Sequence, residues 1–220
     1  MKAILQASNI NKLFKIENQS IEILKNVSFQ INQGEFVAIM GKSGSGKSTL
    51  LSILAGLDQP DSGSVKLDQL ELTDLSENQL AKSRQQDIGF VFQSFYLIPT
   101  LTVEENIAFP LQINRSFDAK RMDELIEKVG LSDRKKSFPH QLSGGEKQRT
   151  AIARALISQP KILFADEPTG NLDERNAESV LNLLIELQKE FQTALVVVTH
   201  DAGIANRADR VIEIHDGKIL

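Results

Sequence analysis

The chain has 220 residues, with 25 Lys and Arg against 29 Asp and Glu and a formal net charge of -4. That length suits one large core or a main domain with a smaller lobe, and the acid excess supplies no basic footprint for nucleic acid. With no cysteine, disulfides, thiolate chemistry and cysteine-ligated zinc are excluded, and with only 3 histidines a multi-histidine metal site is not expected.

No apolar run approaches the ~18 residues of a membrane-spanning helix, and the amino terminus has no signal-peptide core, so the chain is not expected to cross a membrane itself. Aliphatic residues dominate Ala3 to Ile10 and Ile21 to Ile31, and in the second stretch Val27, Phe29 and Ile31 alternate with polar neighbours. These predict an antiparallel edge layer. Phe14 lies between them, and a lone aromatic near a strand end reads first as core.

Phe36 to Met40 (FVAIM) is a buried strand by its composition, and apolar positions 50, 51, 53, 54 and 57 predict a helix over Lys47 to Leu57. Between them stands GKSGSGKST, Gly41 to Thr49. Glycines at 41, 44 and 46 leave backbone N–H groups unshielded, and the uncapped helix start points its dipole at the same place. A phosphate chain fits there, with Lys47 facing its β and γ oxygens and the Ser48 hydroxyl, beside Thr49, placed for Mg2+.

Pro60 to Gly63 marks a turn before a short strand at Val65 to Leu67, and Leu70 to Leu80 is a mixed polar segment. IGFVF at Ile88 to Phe92 predicts a buried strand that ends in Gln93, at the carboxyl edge where α/β sheets read ligands. Residues 94–141 change character. Helices are expected near Val103 to Ala108 and over Ala119 to Val129, where Met122, Leu125, Ile126 and Val129 form one stripe, Asp118 is the cap and Gly130 the stop.

LSGGEKQR, Leu142 to Arg149, opens another helix through a Ser143 and Glu146 capping box. Capping does not require Gly144 and Gly145, which are poor helix residues, so this helix start also reads as a second phosphate-binding device. KILFADE, Lys161 to Glu167, is a strand ending in adjacent carboxylates, which are costly as mere structure. Asp166 is placed to anchor hydrated Mg2+, and Glu167 to polarise an attacking water. A helix over Arg175 to Phe191, a strand at Leu195 to Val198 ending near His200, and a terminal hairpin about Asp216 and Gly217 complete the chain. On its own, His200 reads as structural at least as readily as catalytic.

Together these motifs resemble the nucleotide-binding subunit of an ATP-binding-cassette (ABC) transporter over essentially the whole chain. Gly41 to Thr49 matches the family's Walker A loop, Ile162 to Asp166 its Walker B strand and Leu142 to Gln148 its signature motif. The resemblance implies an α/β fold: a P-loop NTPase (ABC ATPase) with a RecA-like core, an antiparallel β subdomain and a helical subdomain. Residues 1–220 then form a single ABC ATPase domain, with core and β layer in 1–93 and 160–220 and the helical subdomain in about 94–159.

It implies ATP and Mg2+ as ligands, and it gives the site residues their roles. Glu167 becomes the catalytic glutamate and His200 the switch histidine. Lys47 and Gln93 join them in catalysis, Gln93 as metal ligand and γ-phosphate sensor beside Ser48 and Asp166. Nucleotide contacts fall to Phe14, stacked on adenine where the family more often has tyrosine, and to Gly41, Ser43, Gly44, Ser45, Gly46, Lys47, Ser48 and Thr49. Asp173, in the D-loop Asn171 to Asp173, joins the nucleotide contacts, and Ser143, Gly144 and Gly145 approach the nucleotide of the opposite subunit.

The family works as a head-to-tail dimer, here expected to be a homodimer, attached to integral membrane permease subunits at the cytoplasmic face of the membrane. IGFVFQSFYLIPTLTVEENIAFPL and LFADEPTGNLD most resemble the branch of lipoprotein-releasing, macrolide-exporting and antimicrobial-peptide-detoxifying ATPases. Phe95, Tyr96, Leu97, Ile98 and Leu101 form either a small private core of the lobe or a docking surface, and Tyr96 or its immediate neighbours are expected to touch the permease. A soluble cassette ATPase acting on nucleic acid or the ribosome, and a nucleotide-gated scaffold, are the alternatives. The acid balance and the retained Glu167 and His200 speak against them.

Overall fold

The computed structural model describes residues 2–16, 19–113 and 116–220. The chain divides into two compact units, one formed by the residues up to Arg84 together with Ala194–Leu220, the other by Gln85–Thr193. The helices expected within 94–159 lie inside the second unit.

In the first unit, strands Ala3–Ile16 and Gln19–Asn32 form a long antiparallel hairpin, and Ser62–Leu67 pairs with the other side of Ala3–Ile16. Both long strands exceed the expected stretches. The register slips where Ser8 and Asn9 face Ser28, and again where Lys25 and Asn26 face Asn11. Asn9 and Asn26 both have φ 53°, the left-handed conformation that asparagine tolerates and a bulge requires. Each bulge shifts the phase of inward and outward side chains, so Ile10, Leu24, Val27 and Ile31 all remain buried.

The same unit carries a parallel set. Phe36–Met40 pairs with Ala194–Val198 on one side and Arg210–His215 on the other, and Lys218–Ile219 returns antiparallel to close the terminal hairpin. Both faces of the central strand are covered, which its unbroken apolar run requires. Asp209 fixes the register from both ends: its N–H donates to the Phe36 carbonyl at 2.8 Å, and its carboxylate accepts from the Phe36 N–H at 2.8 Å. Beside it, Arg210 Nε donates to Glu35 at 2.8 Å.

In the second unit, Ile88–Phe92 pairs in parallel with Ile162–Asp166, residue for residue from Ile88 opposite Ile162 to Phe92 opposite Asp166. Helices Val103–Ile113, Ala119–Lys128, Gly144–Leu156 and Glu174–Phe191 accompany this pair. Asp118 caps Ala119–Lys128 by accepting from the Arg121 N–H at 3.1 Å, and Met122, Leu125, Ile126 and Val129 are buried.

One helix, Glu77–Asp87, replaces part of the expected polar segment. Only Leu80 and Ser83 along it are buried, so it has no apolar stripe to announce it. The phosphate-loop helix is shorter than expected and ends at Leu54, because Gly56 adopts φ 63° and the chain turns away. Among the described residues, no helix is long and apolar enough to cross a membrane.

Candidate functional site

The first unit supplies the phosphate loop. Strand Phe36–Met40 delivers the chain to Gly41, and helix Lys47–Leu54 begins after Gly46, which has φ 99° and no side chain to cap the first-turn N–H groups. Those donors therefore remain for an outside acceptor. Lys47 is buried and its Nζ donates to the carbonyls of Gly41 at 2.8 Å and Lys42 at 2.9 Å, so the loop is curled round its own ammonium group. The buried Ser45 hydroxyl has no hydrogen-bond partner, and a side chain added at Gly44 would meet open space. Orphan donors, an unused hydroxyl and a caged cation fit a polyphosphate.

Parallel register brings His200 to the same edge. Ile39 pairs with Val198, and Gly41 and His200 lie two residues beyond that pair on neighbouring strands. The Thr199 N–H donates to the Ile39 carbonyl at 3.2 Å, which carries the alignment one residue past the strand. His200 and Ser48 are exposed, and Thr49 is half-buried. Phe14 departs from the core reading of its residue type: it is 44% exposed, opposite Ile21, with Lys12 Nζ 5.7 Å from its ring centre. The cause is the length of the hairpin, since both strands run on past the covered part of the layer.

The second unit gathers the carboxylates and the amide. Because Phe92 stands opposite Asp166, Gln93 and Glu167 are the next residues past the paired strands. Glu167 has φ 44°, a left-handed conformation costing a non-glycine residue on the order of 1–3 kcal/mol, the kind of strain that gathers at functional sites. Gln93 is held by Asn171, whose side-chain amide donates to the Gln93 carbonyl at 2.9 Å and accepts from Gln93 Nε2 at 3.3 Å. Asp173 caps helix Glu174–Phe191, accepting from the Asn176 N–H at 3.0 Å and its amide at 2.6 Å. The Asn176 side-chain and backbone donors hold the Asp173 carboxyl below its usual range.

The capping box at Ser143 is present. Ser143 N–H donates to Glu146 at 2.8 Å and the Glu146 N–H donates back to the Ser143 hydroxyl at 3.3 Å. Arg134 Nε adds a bond to the Glu146 carboxylate at 3.0 Å. Burial pushes the Glu146 carboxyl up, but the Ser143 donors and Arg134 outweigh it and hold the group below the ordinary glutamate range. Gly145 also has a packing reason to be glycine. A Cβ there would stand 2.9 Å from Asn176 Oδ1.

Asn106 and Arg154, not singled out in the sequence, and Gln148, at the end of the signature motif, shape this unit further. Fully buried Asn106 exchanges hydrogen bonds with the N–H and carbonyl of Ile98 and donates to the carbonyls of Leu101 and Thr102. Gln148, also fully buried, donates to the Phe92 carbonyl at 3.4 Å, and Arg154 reaches the carbonyls of Phe95 and Tyr96. A signal for Asn106 existed: it falls on the helix face that buries Val103, Ile107 and Leu111, where an amide needs a purpose.

Among the described residues no cluster of three or more His, Cys, Asp or Glu side chains can hold a metal ion. The expected magnesium ligands are of another kind, a hydroxyl (Ser48), an amide (Gln93) and one carboxylate (Asp166). An all-oxygen set with few charges suits Mg2+, which keeps several waters and binds substrate phosphates.

Comparison with known proteins shows the family. A family model described as ABC transporter matches residues 24–170. An uncharacterized ABC transporter ATP-binding protein of Bacillus subtilis (strain 168), YvrO, is 45% identical over 99% of this chain and 96% of its own length. Among solved structures, a dimeric post-hydrolysis state of the ATP-binding cassette MJ0796 bound to ADP and Pi is 42% identical, with a TM-score of 0.88 over 98% of this chain and 96% of that one. The structure of cbiO1 from Clostridium perfringens, part of the ABC transporter complex cbiONQ, is 32% identical, with a TM-score of 0.88 over 100% of this chain and 88% of that one.

Proposed function

The chain belongs to the ABC transporter family, as an ATP-hydrolysing subunit with a P-loop ATPase fold, and we propose that it powers a membrane permease through a homodimer with two composite sites. Each ATP lies between the phosphate loop of one subunit and Ser143, Gly144 and Gly145 of the other, with Asp173 nearby. The solved cassette bound to ADP and Pi is itself dimeric, which supports this reading. The single observation that carries the ATP site is the loop curled round buried Lys47 beside an uncapped helix start.

Gly41, Ser43, Gly44, Ser45, Gly46 and Thr49 cradle the phosphates, Lys47 neutralises them, and Phe14 stacks on the adenine. Ser48, Gln93 and Asp166 would hold a magnesium ion, which would supply charge neutralisation for the phosphates. Glu167 orients a water whose oxygen attacks the γ-phosphorus as the bond to the bridging oxygen of ADP breaks. The water's proton leaves toward the Glu167 carboxylate, and His200 contacts the γ-phosphate.

The permease contact falls at the turn after Gln93, where Tyr96 is 65% exposed with its ring edge-on to Phe92 at 5.1 Å. An exposed aromatic beside the phosphate-sensing residue suits a short cytosolic helix of a membrane protein. On this reading the subunit sits at the cytoplasmic face of the membrane and belongs to the branch that exports, extracts or does mechanical work. Photo-crosslinking from position 96 in native membranes reads the contact directly, and capture of no integral membrane protein there counts against it.

Lys47→Ala tests the ATP site. Turnover is expected to fall by about 100-fold or more, since the residue faces the charge that grows in the transition state. Unchanged hydrolysis by the purified variant overturns the assignment.

A further inference from the structure

The turn after Gln93 is built against the preference of its backbone. Phe95 and Tyr96 both take left-handed conformations, φ 60° and 46°, which non-glycine residues normally adopt singly. Within the turn there are bonds from the Phe95 N–H to the Phe92 carbonyl at 3.3 Å and from the Tyr96 N–H to the Ser94 carbonyl at 2.6 Å.

The outside grip comes from Arg154, in the last turn of helix Gly144–Leu156. Its Nη1 donates to the Tyr96 carbonyl and its Nη2 to the Phe95 carbonyl at 2.8 Å. Burial holds this guanidinium below its usual pKa, and no carboxylate among the described residues pairs with it. A desolvated cation is thus committed to two successive carbonyls, and both belong to the left-handed pair. Earlier on the same helix, Gln148 holds the Phe92 carbonyl. One helix therefore grips the backbone just before Gln93 and just after it, and that helix begins at Ser143.

We propose that Arg154 is a positioning residue for ATP hydrolysis, whose fork fixes the left-handed pair after Gln93 and ties Gln93 to the helix that starts at Ser143. The consequence for hydrolysis rests on Gln93 facing the nucleotide, as proposed above; the grip itself does not. Arg154 directs both of these guanidinium bonds to backbone carbonyls. It sets where Gln93 stands and makes any displacement of Gln93 a displacement of the Ser143 helix.

Arg154→Lys separates the fork from the charge, because lysine keeps the cation and the aliphatic stem but cannot span two carbonyls in a fixed plane. In the full-length chain, kcat is expected to fall about tenfold while Kd for ATP stays within about threefold, the split that a misplaced but intact site gives. Amide exchange over residues 94–97 is expected to rise about tenfold. Adding Tyr96→Asn, a residue that tolerates the left-handed backbone, should recover most of the lost kcat. Tyr96→Pro, which forbids positive φ and leaves Arg154 in place, should reproduce the same split.

Wild-type kcat in Arg154→Lys or in Tyr96→Pro overturns the proposal. So does a parallel loss of affinity and kcat, the mark of a merely structural residue, or an Arg154→Lys chain that Tyr96→Asn fails to improve. A wild-type chain without ATPase activity would instead sink the reading of Gln93, leaving the exchange rates to judge the grip.

Discussion

Gln93 and Asn171 are bonded in both directions, the Asn171 amide to the Gln93 carbonyl at 2.9 Å and the Gln93 side chain to Asn171 Oδ1 at 3.3 Å. The amide expected to sense the γ-phosphate is thereby held by the loop that follows Glu167. Gly170 makes room for it, since a Cβ at that position would lie 2.7 Å from Gln93 Nε2 and 3.1 Å from its Cδ.

Gly170→Ala is therefore expected to push the Gln93 side chain out of place at little cost to folding, because the atom it meets is the far end of a flexible chain. Stability should change by less than about 1 kcal/mol, while kcat falls about tenfold or more. Thermal melting and steady-state kinetics on one preparation check the split; a large loss of stability with normal kcat would reverse the assignment.

Glu167→Gln removes the charge that orients the water but keeps the size of the side chain. ATP hydrolysis should drop at least about 100-fold, and ATP should hold two subunits together. Size-exclusion chromatography with ATP against ADP is the measurement. Identical monomer elution in both counts against the composite site.

The cap at Ser143 carries a pH dependence of known sign. The Glu146 carboxyl is held below its ordinary range in the fold, so its contribution to stability is complete above the unfolded-state glutamate value and is lost as pH falls through the lower folded-state value. Denaturation midpoints measured into the acid range should decline less steeply for Glu146→Gln than for the wild type. Parallel declines would show that the carboxylate adds nothing there.

Asn106→Leu keeps the Cγ branching of a buried side chain with somewhat more bulk, and strands the Ile98 N–H and the carbonyls of Ile98 and Leu101. Leaving such groups unpaired is expected to cost about 2–4 kcal/mol. The midpoint of chemical denaturation should fall accordingly. A neutral result would mean that water enters and takes over the bonds.

Strands Phe36–Met40 and Ile88–Phe92 run as their apolar residues predict, because each is largely buried and stops where a polar residue or glycine begins the site. The same clarity attaches to Gly41 to Thr49 and to the Ser143 capping box, whose chemistry is local in the chain. Where the physics was not local, the signal failed. Asparagine bulges at Asn9 and Asn26 broke the alternation of two long strands, and helix Glu77–Asp87 buries too little to show a stripe. Arg154 looked like one more polar residue in a helix, since its partners are carbonyls more than fifty residues away, and a carbonyl has no sequence signature.

The pairing of Phe36 with Asp209 sets an order on the birth of the molecule. A ribosome delivers the phosphate loop early, yet the strand leading into it has neither of its parallel neighbours until Ala194–Val198 and Arg210–His215 have been made. The second unit, by contrast, is one uninterrupted stretch of chain. During synthesis it is free to settle first, while the phosphate loop waits, half-supported, for its two neighbouring strands. ATP is therefore a poor chaperone for the nascent chain, and nucleotide added to a translation reaction should protect only chains that have passed His215.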